Sequence, residues 1–409
     1  MNKNRVLPSR LTLWVIVWSL FCLVVFSGCG DKPVEPGASQ NALKRLSVRQ
    51  FPKFFDSRGF ENLAGSVRES LVYFNRVPAT RTYVYGKDRY DAVHMIRSHE
   101  TFLAFLEKNP TPSQLNRFIR NRYHVYQSVG NSNKEVLFTG YFEPTYPGST
   151  TPGPEFPYPV YSKPVDLLQI DLSRFSDKYA GHKRLMARVD YDTRRVVPYY
   201  TRAQINQSPD FEDRADPVVW LANRVDRFFL EIQGSGRVAL GDGTVMRVHY
   251  AGVNGNAYSS VGKYLIDQGE VAREDMSMQA IRKWLEANPR RMDEVLHTND
   301  SFVFFKSGQG GPFGSIGVAV TPMRSIATDQ KLFPKGGLAF VETALPETGM
   351  EQPKEDWGRV SLFVANQDTG GAIKGPGRVD LFCGNGDWAS FVAGHMTAYG
   401  QLYFLVLKP

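Results

Sequence analysis

After Gly130 the chain is cut into short apolar or alternating runs by glycine and proline, and this punctuation points to strands joined by turns over much of the remaining two thirds. Val136-Leu137-Phe138, Val160-Tyr161 and Phe228 to Ile232 are such runs. Val238–Leu240 and Thr244–His249 flank Gly241-Asp242-Gly243, and Asp-Gly between alternating runs predicts a hairpin. The last hundred residues are strand-rich to the end. Helical periodicity is strongest before Gly130. Phe60, Leu63, Ala64, Val67, Leu71 and Phe74 share one face, a second helix fits Asp91–Lys108, and Thr111-Pro112 supplies an N-cap and first-turn proline for a third carrying Leu115, Phe118, Ile119 and Tyr123. It returns in Val261–Gln268, closed by Gly269, and in Met278–Ala287, closed by Asn288-Pro289. With 36 Gly, 25 Pro and 13% aromatic residues, the chain reads as mainly β with added helices, and 409 residues make one large or two medium domains.

At the amino end, Lys3, Arg5 and Arg10 precede an uncharged run from Leu11 to Phe26 that closes on Ser27-Gly28-Cys29. A charged n-region before an apolar h-region is an export signal, and the run is shorter than the ~20 residues of a membrane span. Small residues before the cysteine resemble a bacterial lipoprotein signal, which predicts cleavage before Cys29 and lipidation of its thiol; an uncleaved anchor helix is the bland alternative. Residues 1–28 are thus expected to be a signal peptide, and residues 29–46, rich in Pro, Gly, Ser and Asn, a flexible tether. Gly30 after the cysteine, where Asp would signal inner-membrane retention, favours the periplasmic face of the outer membrane. Without residues 1–28 the chain holds 46 basic against 41 acidic groups, a net charge of +5 in place of +8. No Lys/Arg run of the kind that tracks phosphates occurs, so nucleic acid is not the expected partner. Cys383 remains as a lone thiol, and a disulfide framework is excluded.

No Walker-type phosphate loop, H-E-x-x-H, paired C-x-x-C or G-x-S-x-G elbow is present, and neither a cofactor nor a metal is expected. Gln233-Gly234-Ser235-Gly236 lacks the spacing of a dinucleotide fingerprint and reads as a tight turn ending a strand. Cys383 and His395 are the residue types of a thiol–imidazole pair, set against the reading of Cys383 as a small buried hydrophobe. Three aspartates are more informative. Asp329 follows Ser325-Ile326-Ala327-Thr328, Asp368 opens DTGGAIKG at 368–375, and Asp380 sits between apolar neighbours in RVDLF at 378–382. A carboxylate on an apolar strand is costly to bury. Desolvation and a second carboxylate nearby both favour its protonated form, which is how a general acid is kept loaded near neutral pH. The competing reading of each is a turn aspartate capping a backbone N–H.

Asp329, DTGGAIKG and VDLF at 379–382 resemble the three-aspartate (3D) domain of the membrane-bound lytic murein transglycosylase A (MltA) family. The resemblance extends through FTGYF at 138–142, EIQGSG at 231–236, YAGVNGNAYSSVGK at 250–263, IDQGEV at 266–271, EDMSMQAI at 274–281 and SFVFFK at 301–306, and departs at Cys383, where an aromatic residue is more usual. It implies a double-psi β-barrel built from residues 47–142 and 306–409, with the 3D region at about 320–409, and a smaller β-domain inserted at 143–305. It also implies a lyase that cleaves the β-1,4 bond between N-acetylmuramic acid and N-acetylglucosamine of peptidoglycan without water, leaving 1,6-anhydromuramoyl ends. In that scheme Asp380 is the general acid and base, and Asp368 and Asp329 support it. Thr139, Tyr141, Gln233, Ser235 and Lys306 are candidates for gripping the sugars. The expected partners are glycan strands, the membrane through the Cys29 lipid, and other cell-wall enzymes. The rival class is an envelope lipoprotein that binds peptidoglycan without cutting it.

Overall fold

The computed structural model describes residues 38–180, 182, 184–349 and 351–409, so the expected signal peptide and Cys29 lie outside the described residues. Six strands close into a barrel. Around it run Val136–Glu143, Arg378–Asn385, Ser325–Ala327, Gly358–Asp368, Leu338–Leu345 and Ala398–Leu407, the last pairing back onto the first. Closure leaves these strands with few unpaired edges, and their alternation sends Val379 and Leu381 inward while Arg378 and Asp380 keep solvent access. Strands more than 230 residues apart lie side by side and parallel, since Asp380 pairs with Thr139.

Tyr123–Ser128 extends this sheet alongside Ala398–Leu407, and Leu43–Arg45 pairs with Tyr123–Ser128 at its edge. The helix Ala38–Ala42 and this strand lie inside the stretch expected to be a tether. Leu43 and Leu46 are buried there, but a three-residue strand is too short to leave a readable alternation. The three expected helices are Leu63–Arg76, Ala92–Leu106 and Pro112–Arg122. Asp91 caps the second by accepting from His94 N at 2.8 Å, and Thr111 and Gln114 form a capping box on the third. Their apolar faces, with Leu63, Val67, Phe102 and Ile119, cover Phe340, Phe363 and Leu405 of the barrel strands. A buried ion pair ties the preceding segment to the barrel: Arg324 donates to both oxygens of Asp56 at 2.7 and 2.9 Å, and Asp56 also accepts from Phe363 N.

The second body is a six-stranded sheet in the order Val303–Gly308, Val245–Val253, Ser235–Leu240, Thr145–Ser149, Pro217–Leu221 and Tyr158–Tyr161. The expected hairpin is there, with Ser235–Leu240 antiparallel to Val245–Val253. Helices Val261–Asp267 and Met278–Ala287 fall where the periodicity placed them. The run Phe228–Ile232 does not form a strand but belongs to the helix Arg224–Gln233, and Gly234 therefore ends a helix, not a strand. Asn223 accepts from Asp226 N at its start, and Gly234 closes it with φ 75°. The apolar run looked continuous because Val225, Phe228, Phe229 and Leu230 are all buried, on a helix enclosed on more than one side.

Candidate active site

Strand register brings the aspartates together. Ala327 pairs with Asp368 on one side and with Asp380 on the other, and Asp380 pairs with Thr139. Asp368, Ala327, Asp380 and Thr139 thus form one row across four neighbouring strands, which alternate near 4.8 Å spacing. Thr139 Oγ1 donates to Asp380 Oδ1 at 2.6 Å. The carboxyl keeps a solvent-facing edge but is enclosed enough that desolvation pushes its pKa up to about 6; Thr139 and the charge of Arg378 pull it down, and Asp368 pushes it further up.

Asp368 is fully committed. Its Oδ2 accepts from the Tyr141 hydroxyl at 3.0 Å, and its Oδ1 accepts from Ser315 N at 2.9 Å and Thr369 N at 2.8 Å. Burial raises its pKa against the pull of these donors. Asp329 plays a different part: it is buried, and its carboxylate accepts from Lys331 N at 3.1 Å and Gly375 N at 3.0 Å. The second bond, with Thr369 Oγ1 donating to Thr328 O at 2.8 Å, holds the loop that links Asp368 to Asp380. The row and this loop therefore form one braced unit.

Tyr141 lies with its ring 5.1 Å from Phe382 and reaches Asp368. Gln233 is engaged elsewhere, accepting from Phe142 N at 3.0 Å and touching Met278 Sδ, so it joins the helix Arg224–Gln233 to the barrel strand. Ser235 opens its strand opposite His249, and the exposed Lys306 pairs with His249 from the other side. These two stand on the second sheet on either side of His249, whose ring lies 5.2 Å from that of Phe313. Cys383 is buried, donates to Leu381 O at 3.4 Å, and its thiol is pushed far up by burial, whereas His395 Nδ1 engages Phe391 O. That thiol has neither the imidazole partner nor the thiolate character of a nucleophile.

Ser315 and Arg378 were not singled out in the sequence. Ser315 acts through its backbone N–H, which any residue supplies, so only the glycine-rich stretch 308–317 around it is a signal. Arg378 is visible in RVDLF as the residue two before the acid, which on a strand shares its face. Two exposed aromatic rings stand close by. Phe313 precedes Ser315 by two residues, and the Cβ of Tyr258, from the second body, lies 4.0 Å from where a Cβ on Gly371 would sit. Among the described residues no cluster of His, Cys, Asp and Glu is arranged to hold a metal.

A closed barrel that carries Asp368 and Asp380 on neighbouring strands, with Asp329 tied to the loop between them and a second β-sheet beside it, is a three-aspartate barrel protein. Residues 324–406 match the model of the 3D domain, and residues 137–306 match that of the MltA specific insert domain. The chain belongs to the MltA family. It is 37% identical over 211 residues to the membrane-bound lytic murein transglycosylase A of Vibrio cholerae, a match covering 51% of this chain and 56% of that protein. The chain spans about half the length of the curated relatives it matches. Its fold is similar to a membrane-bound lytic murein transglycosylase from Agrobacterium tumefaciens, with TM-score 0.71 and 26% identity over 90% of this chain and 98% of the other. It is likewise similar to Escherichia coli MltA with bound chitohexaose, with TM-score 0.69 and 25% identity over 93% and 98%.

Proposed function

We propose that the chain is a lytic transglycosylase of peptidoglycan in which Asp380 is the single general acid and base. The observation that carries this reading is the contrast between the two rim carboxyls. Among the described residues Asp380 makes one side-chain hydrogen bond, with one oxygen accepting from Thr139, and it has a pKa raised to about 6. Asp368 has both oxygens spent on three donors. A hydrolase needs a second free carboxylate to attack or to activate water. A transglycosylase does not, because the C6 hydroxyl of the muramoyl residue is a nucleophile already held on the same sugar. Protonated Asp380 gives its proton to the glycosidic oxygen as the C1–O bond breaks. The carboxylate then takes the proton of O6 as O6 bonds to C1, which closes the 1,6-anhydro ring and restores the acid without consuming water.

In this reading Thr139 fixes which oxygen of Asp380 carries the proton, and Tyr141 and Ser315 keep Asp368 in place to hold the acid's pKa up. Tyr258 and Phe313 offer ring faces on which sugars stack. The substrate strand lies between the barrel and the second body, and the domain plan is a double-psi barrel interrupted at residues 143–305. The lipid on Cys29 anchors the enzyme at the outer membrane, facing the wall. Binding of an oligosaccharide by the solved relative with chitohexaose supports a glycan as the ligand. Full-length Asp380→Asn, folded by circular dichroism, is expected to release anhydro-muropeptides from sacculi at least ~100-fold more slowly than wild type. Release at a near wild-type rate would remove Asp380 from the reaction.

A further inference from the structure

We infer that the guanidinium of Arg378 is the receptor for a free carboxylate of the stem peptide borne by the muramoyl residue under attack. The inference rests on the transglycosylase reading of the same groove. Arg378 and Asp380 share one face of their strand, with the buried Val379 between them. At about 3.3 Å per residue their Cα atoms are about 6.6 Å apart. No ion pair or hydrogen bond joins the Arg378 side chain to a described residue, and its Nε is cut off from solvent without a partner. Among the described residues Arg188 alone shares this open Nε, and its guanidinium lies over the Tyr200 ring at 4.2 Å, whereas several other buried or half-buried arginines are matched by a carboxylate. Arg202 pairs with Glu231, Arg282 with Asp226 and Arg324 with Asp56, at 2.7, 2.6 and 2.7 Å.

A desolvated donor left open costs about 1–3 kcal/mol, and here the open donor belongs to a cation beside the candidate acid. What would satisfy it is an anion with a planar pair of oxygens, the partner that a guanidinium fork binds in two parallel hydrogen bonds. Tyr258 closes the other side of this space: it is 40% exposed, abuts the loop at Gly371, and its phenol feels the charges of both Arg378 and Asp380.

The bare glycan cannot supply that anion. Its N-acetyl groups are neutral, and the lactyl carboxyl of muramic acid is consumed in the amide to the peptide. The peptide begins on the ring whose C1 is cleaved. Its second residue, a glutamate linked through the γ-carboxyl, leaves the α-carboxylate free about two residues, or about 7 Å, from the lactyl group.

The test compares glycan strands bearing stem peptides with the same strands stripped by an amidase, using the full-length chain in detergent and counting anhydromuramoyl ends. The readout is the ratio of kcat/KM on the two substrates. In Arg378→Gln this ratio is expected to fall about tenfold relative to wild type, through KM on the peptide-bearing strand, while Arg378→Lys keeps more of it. An unchanged ratio, including one in which both rates fall together, would overturn the inference and leave Arg378 a modulator of Asp380 alone. Should the glutamine variant not fold, the wild-type enzyme still decides. Strands whose glutamate α-carboxyl is amidated should be cut about tenfold less efficiently, and equal efficiency overturns the proposal. Failure of wild type to form anhydro ends on either substrate would instead refute the transglycosylase reading.

Discussion

Asp380 is held where its charge is unwelcome, and this has a cost that can be measured apart from catalysis. With a folded pKa of about 6 against about 3.9 in an unfolded chain, the group binds more protons when folded. Stability therefore falls as pH rises from about 4 to about 6, and stays at the lower level above. Asp380→Asn removes the charge, so the variant should be more stable than wild type by about 1–3 kcal/mol at pH 7.5 and little changed at pH 4. Thermal melts at the two pH values check this, and an equal or lower melting temperature for the variant at pH 7.5 contradicts it. Asp380, Asp368 and Asp329 were all legible in the sequence because each stands in a distinctive run. Their division of labour was implied by the family resemblance alone, since the hydrogen bonds that distinguish them depend on which oxygen meets which N–H across neighbouring strands. The same limit applies to Gln233, whose motif was visible but whose amide serves the join between helix and barrel. Arg378 was hidden for another reason: an arginine on a strand looks like any solvated cation until its partners are sought and found missing.

Among the elements, those with chemical boundaries were read correctly. Asp91, Thr111 and Ser277 cap helices that begin where the sequence said, because a cap is a local bond that a short window contains. The helix Arg224–Gln233 was misread because burial on more than one side fills in its apolar stripe, and its caps at Asn223 and Gly234 were the better signal. The edge strand Leu43–Arg45 is set by pairing with Tyr123–Ser128, about eighty residues on, and no local pattern encodes it. What fastens this amino-terminal part to the strand before the aspartate row is Asp56, which accepts from Arg324, Arg58 N, Phe60 N and Phe363 N. Asp56→Ala leaves the fully buried Arg324 without its anion, and should cost about 3–5 kcal/mol in chemical denaturation. A loss below about 1 kcal/mol would mean that water or a shifted loop replaces the pair.

At the scale of the whole molecule, the barrel is closed by one strand that precedes the second sheet in the chain and five that follow it, so Asp380 and the threonine that holds it come from segments 241 residues apart. The two bodies meet around the row through few polar contacts, with Gln233 reaching Phe142 N, Arg237 paired to the buried Glu143 at 2.7 Å, and Gln279 donating to Ser390 O at 3.1 Å. Mainly β architecture was legible from the turn punctuation. Barrel closure was implied by the family resemblance alone and by no pattern or spacing, because pairing between distant strands leaves no trace in either one. The net charge of +5 expected after signal removal now has a local expression in the open cation of Arg378, beside the acid and suited to an anionic wall peptide. Whether one acid and the substrate's own hydroxyl cleave the bond without water is decided by digesting sacculi with the full-length enzyme in water enriched in oxygen-18. Mass spectrometry of the released muropeptides should show ends lighter by one water than hydrolysed ends and free of the heavy isotope. Ends that carry oxygen-18 at the cleaved carbon would show hydrolysis and remove the O6 hydroxyl as the nucleophile.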